Sequence, residues 1–489
     1  MSEDASVNID AVAWPEPDVA YFAVRKMQIK LHRWAGDDSS RRFGDLFNLV
    51  SDPAFLMHAW QRVSSNAGAR SPGIDKATVA WIESWIGVEA FLQGIRNSLK
   101  SGEFAPVAVR QVLIPKPGTS KRRRLGIPTV ADRVVQASLK SVLEPIYEAD
   151  FEPCSYGFRP NRRAQDAIAE IQLLATNTYT WILEADIQAC FDEIEHTPLL
   201  QRMRRRIKDK RVLALVRAFL KSGVMTTNGT QEETITGTPQ GGILSPLLAN
   251  IALSELDEHF EQQWREQMGT RSRRETRRRK GLGTWRLIRY ADDFVVMVSG
   301  GRHHVEALRA EVASVLAPMG LRLSPEKTGI VHIDEGFDFL GFHIRRQRKR
   351  GTQKHYVYTV PSKRAVKAIK DKVRRRTYRS TRTMDLSEVI TILNQTLRGW
   401  ANYFRHGVSK RTFGHIDEHA WWRLVGWIRA KYSRISLKEV RRRFCDYGWT
   451  ITHAGVEFTG ASSVAVIRYR YRGRNIPTPW TPSPAAPNS

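Results

Sequence analysis

Two short runs of β-forming residues, Leu287-Ile-Arg-Tyr290 and Phe294-Val-Val-Met-Val298, stand on either side of Ala291-Asp292-Asp293. Strand-like runs separated by a tight polar turn are the signal of a β-hairpin, so this stretch predicts a hairpin with adjacent carboxylates at its tip. A second β-rich run from Tyr179 delivers Asp186 to a strand end ahead of a helical stretch. Asp is a common turn residue, which is the plain structural reading of such a pair. Gathering acids is unfavourable without a cation. Like charges about 4 Å apart repel by about 1 kcal/mol in water and by about 4 at an effective dielectric of 20. Magnesium removes the objection, because it takes hard oxygen ligands and keeps waters and phosphates in its shell. Two such ions about 3.5–4 Å apart stabilise the attacking and leaving oxygens of an in-line displacement.

Charge selects the class of partner. The 489 residues carry 77 Lys and Arg against 50 Asp and Glu, a net +27, which steers a chain toward polyanions and makes binding salt-dependent. The apolar share of 42% is enough for a large core without disulfide or metal staples, and the length suggests about three domains. Cys154, Cys190 and Cys445 lie far apart, so neither a disulfide framework nor a CxxC zinc signature is present, and a reducing cytoplasm fits. The acidic, polar stretch Met1–Asp10 does not read as a secretory signal. The longest apolar stretch, Ile243–Leu253, is interrupted by Ser245, Pro246 and Asn250 and falls short of the ~18 residues a membrane helix needs. A soluble protein without a membrane partner is expected.

Along the chain, residues 1–45 read as a lead-in with one basic helix, Val19 to Trp34, and an α/β or α+β body follows to about Phe342. Arg271–Lys280 holds seven basic residues in ten and reads as a solvated loop or a phosphate-gripping arm. Lys363–Arg382 holds ten basic residues and one acid, Asp371. Val389, Leu393, Leu397, Trp400 and Phe404 then recur on one helical face, with Asp385 and Glu388 placed as a capping box and Gly407 placed to stop the helix. A second helix, about Ile416–Lys431, carries Trp421, Trp422 and Trp427 at a spacing that reads as core rather than base-stacking platforms. This helical, basic segment reads as a separate domain. Farther on, Arg468, Arg470, Arg472 and Arg474 flank Tyr469 and Tyr471 with period two, the pattern of a strand with one cationic face. The Pro-, Ser- and Ala-rich tail from Ile476 to Ser489 is expected to be disordered.

Tyr290-Ala291-Asp292-Asp293 resembles the signature tetrapeptide of reverse transcriptases, and other blocks follow in that family's order. They are Gly73-Ile-Asp-Lys-Ala-Thr, Ile114-Pro-Lys-Pro-Gly, Leu125-Gly-Ile-Pro128, Ser155-Tyr-Gly-Phe-Arg-Pro160, Gly237-Thr-Pro-Gln-Gly-Gly-Ile-Leu-Ser-Pro246, Ser324-Pro-Glu-Lys-Thr328 and Phe339-Leu-Gly-Phe342. Leu397-Arg-Gly-Trp-Ala-Asn-Tyr-Phe404 completes the set. From about Asp52 to Trp480 the chain resembles the reverse transcriptase and maturase proteins encoded within bacterial group II introns; the ordered set is specific where each block alone is weak.

That resemblance implies a right-hand polymerase of α+β class. Fingers and a palm of split βαβ form would occupy residues 46–345, a helical thumb or maturase domain 362–432, a basic DNA-binding region 433–480 and a disordered tail 481–489. It implies that Asp186, Asp292 and Asp293 hold two magnesium ions, with manganese as a substitute, while Asp192 orders a turn or caps a helix. Phe191 would lie beneath the incoming sugar and exclude a 2′-hydroxyl, its alternative being a core ring. Lys116 and Arg123 would clamp the triphosphate in a basic hairpin, the second assignment being open by one position to Arg122 or Arg124 and both being open to a solvated-loop reading. Gln240 would contact the nascent base pair, with Gly241 and Gly242 admitting the backbone close to substrate. Lys327 would sit near the leaving pyrophosphate as a general acid or be a surface lysine, and Arg159 would support the template or triphosphate region. The basic clusters Arg374, Arg375 and Arg376, Arg441, Arg442 and Arg443, and Arg470 and Arg472 would bind nucleic acid.

The partners implied are group II intron RNA, an RNA template with a DNA primer, a DNA target site and deoxynucleoside triphosphates, in a bacterial cytoplasm near the nucleoid. The endonuclease module of some relatives, with paired cysteines and a histidine cluster, has no counterpart after Cys445, so second-strand cleavage is not expected and primers would come from replication. Two other readings share part of the pattern. A non-mobile cellular reverse transcriptase would share the palm but not the maturase-like helix, and a splicing cofactor with a dead polymerase would not need all three acids.

Overall fold

The computed structural model describes residues 13–115, 122–238, 241–349, 351–446 and 448–481. Helix α1 (Pro17–Asp37) begins with a proline in its first turn and buries Ala20, Val24, Leu31 and Ala35 along one stripe. It packs with α2 (Pro53–Ser64) around the long helix Val130–Asp150. Strands β1 (Val109–Pro115) and β2 (Arg122–Ile127) pair antiparallel, Ile114 opposite Arg123. Helix α3 (Val130–Asp150) starts where the Thr129 hydroxyl accepts from the Asp132 N–H, and most of its residues are buried. Buried on nearly every side, polar residues such as Asp132, Gln136 and Glu148 included, α3 is the axis of the N-terminal half.

Helix α4 (Ala164–Thr176) leads into β3 (Trp181–Asp186). Helix α5 (Ser245–Gln263) is followed by α6 (Arg271–Arg279) and by the hairpin β4 (Thr284–Tyr290) and β5 (Asp293–Ser299). With β6 (Gly329–His332) these strands form one antiparallel sheet in the order β4-β5-β3-β6. Phe294 through Val298 on the inner strand β5 have no solvent exposure, as helices cover both faces. Strands β7 (Phe337–Phe339), β8 (Phe342–Arg348) and β9 (His355–Pro361) form a second antiparallel sheet. It feeds helices α7 (Lys363–Arg376), α8 (Leu386–Phe404), α9 (Lys410–Lys431) and α10 (Leu437–Phe444).

The α8 stripe is buried as its spacing predicts, at Val389, Leu393, Leu397 and Phe404, and the Asp385–Glu388 capping box is present. One apolar cluster runs from Ile182, Ile288 and Val295 of the first sheet through Phe342 to Leu397 and Phe404 of the helical segment. Three expectations are corrected. Arg271–Lys280 is a helix and its turn, not a loop. Arg468–Arg474 forms no strand, because its alternate side chains are drawn to buried carboxylates instead of a ladder. Arg472 makes a two-pronged ion pair with Asp166 at 2.6 and 2.8 Å, and Arg474 bonds Glu261 at 2.7 Å. Finally, residues 476–481 are packed rather than disordered. Ile476 and Trp480 are buried, and the Trp480 indole N–H donates to Gln28 of α1 at 3.1 Å. The chain end thus straps α4 and α5 to the N-terminal helix. Residues 482–489 lie outside the described residues.

Candidate active site

The register of the first sheet decides what meets at its end. Asp186, last residue of β3, is the direct neighbour of Asp293, first residue of β5, and Tyr290 pairs with Asp293 across the turn. Ala291 takes the left-handed conformation, φ 59°, to close that turn. Three features hold it. Tyr156 N–H donates to the Arg289 carbonyl at 2.8 Å, and Arg289 N–H to the Cys154 carbonyl at 2.9 Å. Gly157 lies so close that a Cβ there would stand 2.2 Å from the Ala291 nitrogen, so only glycine fits. The fully buried Arg289 guanidinium donates to Asp257 at 2.5 and 2.7 Å, to the Asn250 side-chain oxygen at 3.0 Å, to the Ser155 hydroxyl at 2.8 Å and to the Ala291 carbonyl at 2.9 Å. Asn250 in turn donates to the Gly157 carbonyl at 2.9 Å.

Sequence reasoning missed this network. Its one signal was Asn250, a polar residue inside an apolar run, where a buried amide implies partners.

The acids open into a cleft of about 1140 Å³. Partial desolvation on its floor, then the neighbouring Asp292 and Asp186 charges, push the Asp293 carboxyl up to about 7. Desolvation and Asp186 also raise Asp292, while Arg123 and Lys327 oppose the rise. The Lys327 ammonium lies 2.7 Å from Asp186 Oδ2. Among the described residues, no three acidic, histidine or cysteine side chains already surround a common ion position. The donor chemistry nevertheless fits a hard cation: carboxylates in register, crowded enough for one to resist ionising, beside an ammonium that supplies positive charge.

Arg122, Arg123 and Arg124 of β2 line the same cleft, with Arg124 also 3.5 Å from Glu232. Phe191, on the short helix Cys190–Glu193, and the exposed Phe158 line it too. Arg364, from the first turn of α7, reaches the same cleft.

Residues 114–344 match the family described as reverse transcriptase (RNA-dependent DNA polymerase), and residues 366–447 match the group II intron, maturase-specific domain. The chain is 32% identical over 429 residues to the group II intron-encoded protein LtrA of Lactococcus lactis subsp. cremoris, covering 74% of this chain and 70% of that protein. It belongs to the group II intron-encoded reverse transcriptase and maturase family. The enzyme is an RNA-directed DNA polymerase joined to a maturase domain. It is also 37% identical over 361 residues to protein YkfC of Escherichia coli K12, covering 70% of this chain and 93% of that one. A protein in the cob intron of Schizosaccharomyces pombe is 29% identical over 432 residues, covering 75% and 52%.

The other expected site residues of this reverse transcriptase are dispersed. Lys116 and Gln240 lie outside the described residues. Gly241 is at the cleft with φ 111°, and a Cβ there would stand 2.6 Å from the Gly126 carbonyl; the close approach that requires glycine is to β2. Arg159 does not face the cleft. It is buried, with bonds of 2.8–3.0 Å to Glu148 and others to the Glu152 and Ser155 carbonyls, and it staples the Ser155–Pro160 loop to α3. Arg374, Arg375 and Arg376 are exposed at the end of α7, as are Arg441, Arg442 and Arg443 on α10, and Arg470 is exposed too. Arg472 is committed to Asp166 and does not join that cationic face. No helix among the described residues is long and apolar enough to cross a membrane.

Proposed function

We propose that the cleft is the polymerase site, and that Asp186, Asp292 and Asp293 are its catalytic acids and its ligands for two magnesium ions, which manganese can replace. The observation that carries this reading is the register of Asp186 with Asp293, which sets carboxylates together in a cleft that arginines also line. When bound, the ions would neutralise charge that develops as a primer 3′-oxygen displaces pyrophosphate from a deoxynucleotide. Arg123, flanked by Arg122 and Arg124, holds the triphosphate, because a guanidinium grips phosphate oxygens in pairs. The Phe191 ring lies beneath the sugar and excludes a 2′-hydroxyl. Lys327 Nζ stands ready to give a proton to the leaving oxygen. Lys116 and Gln240 keep the triphosphate and base-pair contacts their motifs imply.

In this reading the fingers and palm span residues 46–345 and the thumb 362–432. The RNA–DNA duplex is held by shape and backbone while base pairing carries sequence. The exposed arginines of α7 and α10 serve intron RNA and the DNA target site, so that the protein promotes splicing and supports retrohoming by copying inserted intron RNA. Purified protein supplied with a flanking intron RNA should both splice it and extend a DNA primer on an RNA template. Splicing without extension, with magnesium present, would overturn the polymerase assignment of the cleft.

A further inference from the structure

Helices α9 and α10 and the segment after α10 leave three tryptophans grouped outside the polymerase cleft. Trp421 meets Trp422 edge-to-face with ring centres 4.8 Å apart and meets Trp449 at 5.7 Å, and its indole N–H donates to the Trp449 carbonyl at 2.8 Å. Trp421 is half-buried and pins the pair, yet Trp422 is 55% exposed and Trp449 44%. They border a shallow hollow of about 660 Å³ that Leu437 and Phe458 also line. Helical spacing alone makes all three tryptophans of α9 core residues; of them only Trp427 is.

The charge around the hollow indicates what covers it. The Arg441 guanidinium lies 4.9 Å from the Trp449 ring centre, one helical turn beyond Leu437, whereas Arg442 and Arg443 of the same helix pair with Glu439. Two acids line the hollow. Asp417 is engaged by the backbone N–H groups of Ala461 and Ser462 at 2.5 and 2.8 Å. Glu418 is exposed, with the His415 ring nitrogen 4.0 Å away, and it leaves an acceptor for an exocyclic amino group. Exposed rings beside arginines are the combination that stacks unpaired bases and neutralises their phosphates.

We propose that this hollow holds an unpaired base of single-stranded RNA, stacked on Trp422 with its phosphate at Arg441. The inference rests on the RNA-binding reading of the maturase domain and deepens it by naming the place and the chemistry. The test uses the full chain with its cleft filled by excess RNA-template–DNA-primer duplex, probed with a short labelled single-stranded RNA. Trp422→Ala should weaken that binding about tenfold or more, Trp422→Phe should keep most of it, and binding of the same RNA as a duplex should not change. A 5-iodouridine in the single strand should crosslink to Trp422 or Trp449. Equal binding by wild type and Trp422→Ala, with matching circular-dichroism melts, would overturn the platform and leave the RNA-binding reading intact. Absence of wild-type binding once the cleft is filled would remove both. Altered self-association of Trp422→Ala at unchanged RNA affinity would overturn the proposal in favour of a protein-docking face.

Discussion

Arg289 and Asp257 meet with no exposure to solvent, the guanidinium gripping the carboxylate at 2.5 and 2.7 Å from 32 positions away in the chain. The same guanidinium bonds the Ala291 carbonyl in the turn that carries Asp292. Removing one member of a buried pair leaves a charge uncompensated, at about 3–5 kcal/mol. Asp257→Ala should therefore lose about that much unfolding free energy in urea and also lose primer extension. The double variant Asp257→Leu with Arg289→Met should recover much of the stability but not the extension, since the turn still lacks its donor. Recovery of both would show that the pair does not position the acids.

Asp292→Ala should abolish extension and leave intron splicing largely intact. Its carboxylate lines the cleft, and the maturase helices lie elsewhere in the chain. The two assays run on one protein preparation check this, and loss of both activities would make the acid structural.

Arg472→Ala should destabilise the folded chain by about 1–3 kcal/mol, because buried Asp166 would lose its ion pair and keep only the Tyr469 hydroxyl and the Arg163 N–H. Limited proteolysis should then cut the 464–481 strap earlier than in wild type. An unchanged melt and unchanged cleavage would show that the strap is not held by this pair.

Burial pushes the Asp132 carboxyl at the start of α3 up to about 6, against the opposing Thr129 hydrogen bond. A raised carboxyl pKa means that folding favours the protonated form. The associated stability is fully present below about pH 4 and lost as pH rises through about 6. At roughly 1.4 kcal/mol per pKa unit, the full swing is up to about 3 kcal/mol. Asp132→Asn should gain on wild type across that interval and track it above pH 7, as read from urea unfolding at each pH. A constant difference between the two from pH 4 to 7 would refute the burial account.

Local pattern made the chemistry legible. The β-runs around Asp292 and Asp293, the strand leading to Asp186 and the α8 stripe each occupy a dozen or so neighbouring residues, and period alone places them. Period misled where a distant partner outcompeted it. Arg472 and Arg474 alternate like strand residues, but Asp166, Glu170 and Glu261 are buried on α4 and α5 and need cations more than the tail needs a ladder. Arg159 belongs to a motif block of the polymerase, yet its site is a buried pocket beside Glu148.

The order of residues along the chain was sufficient for the hairpin, its paired acids, the basic surface and the amphipathic helices, because hydrogen-bonding period and side-chain alternation act between near neighbours. Which buried charge answers which was decided only in three dimensions. The cost of burying an ion depends on what folding brings within about 3 Å, and Arg289 with Asp257, like Arg472 with Asp166, finds its partner through packing between elements far apart in sequence.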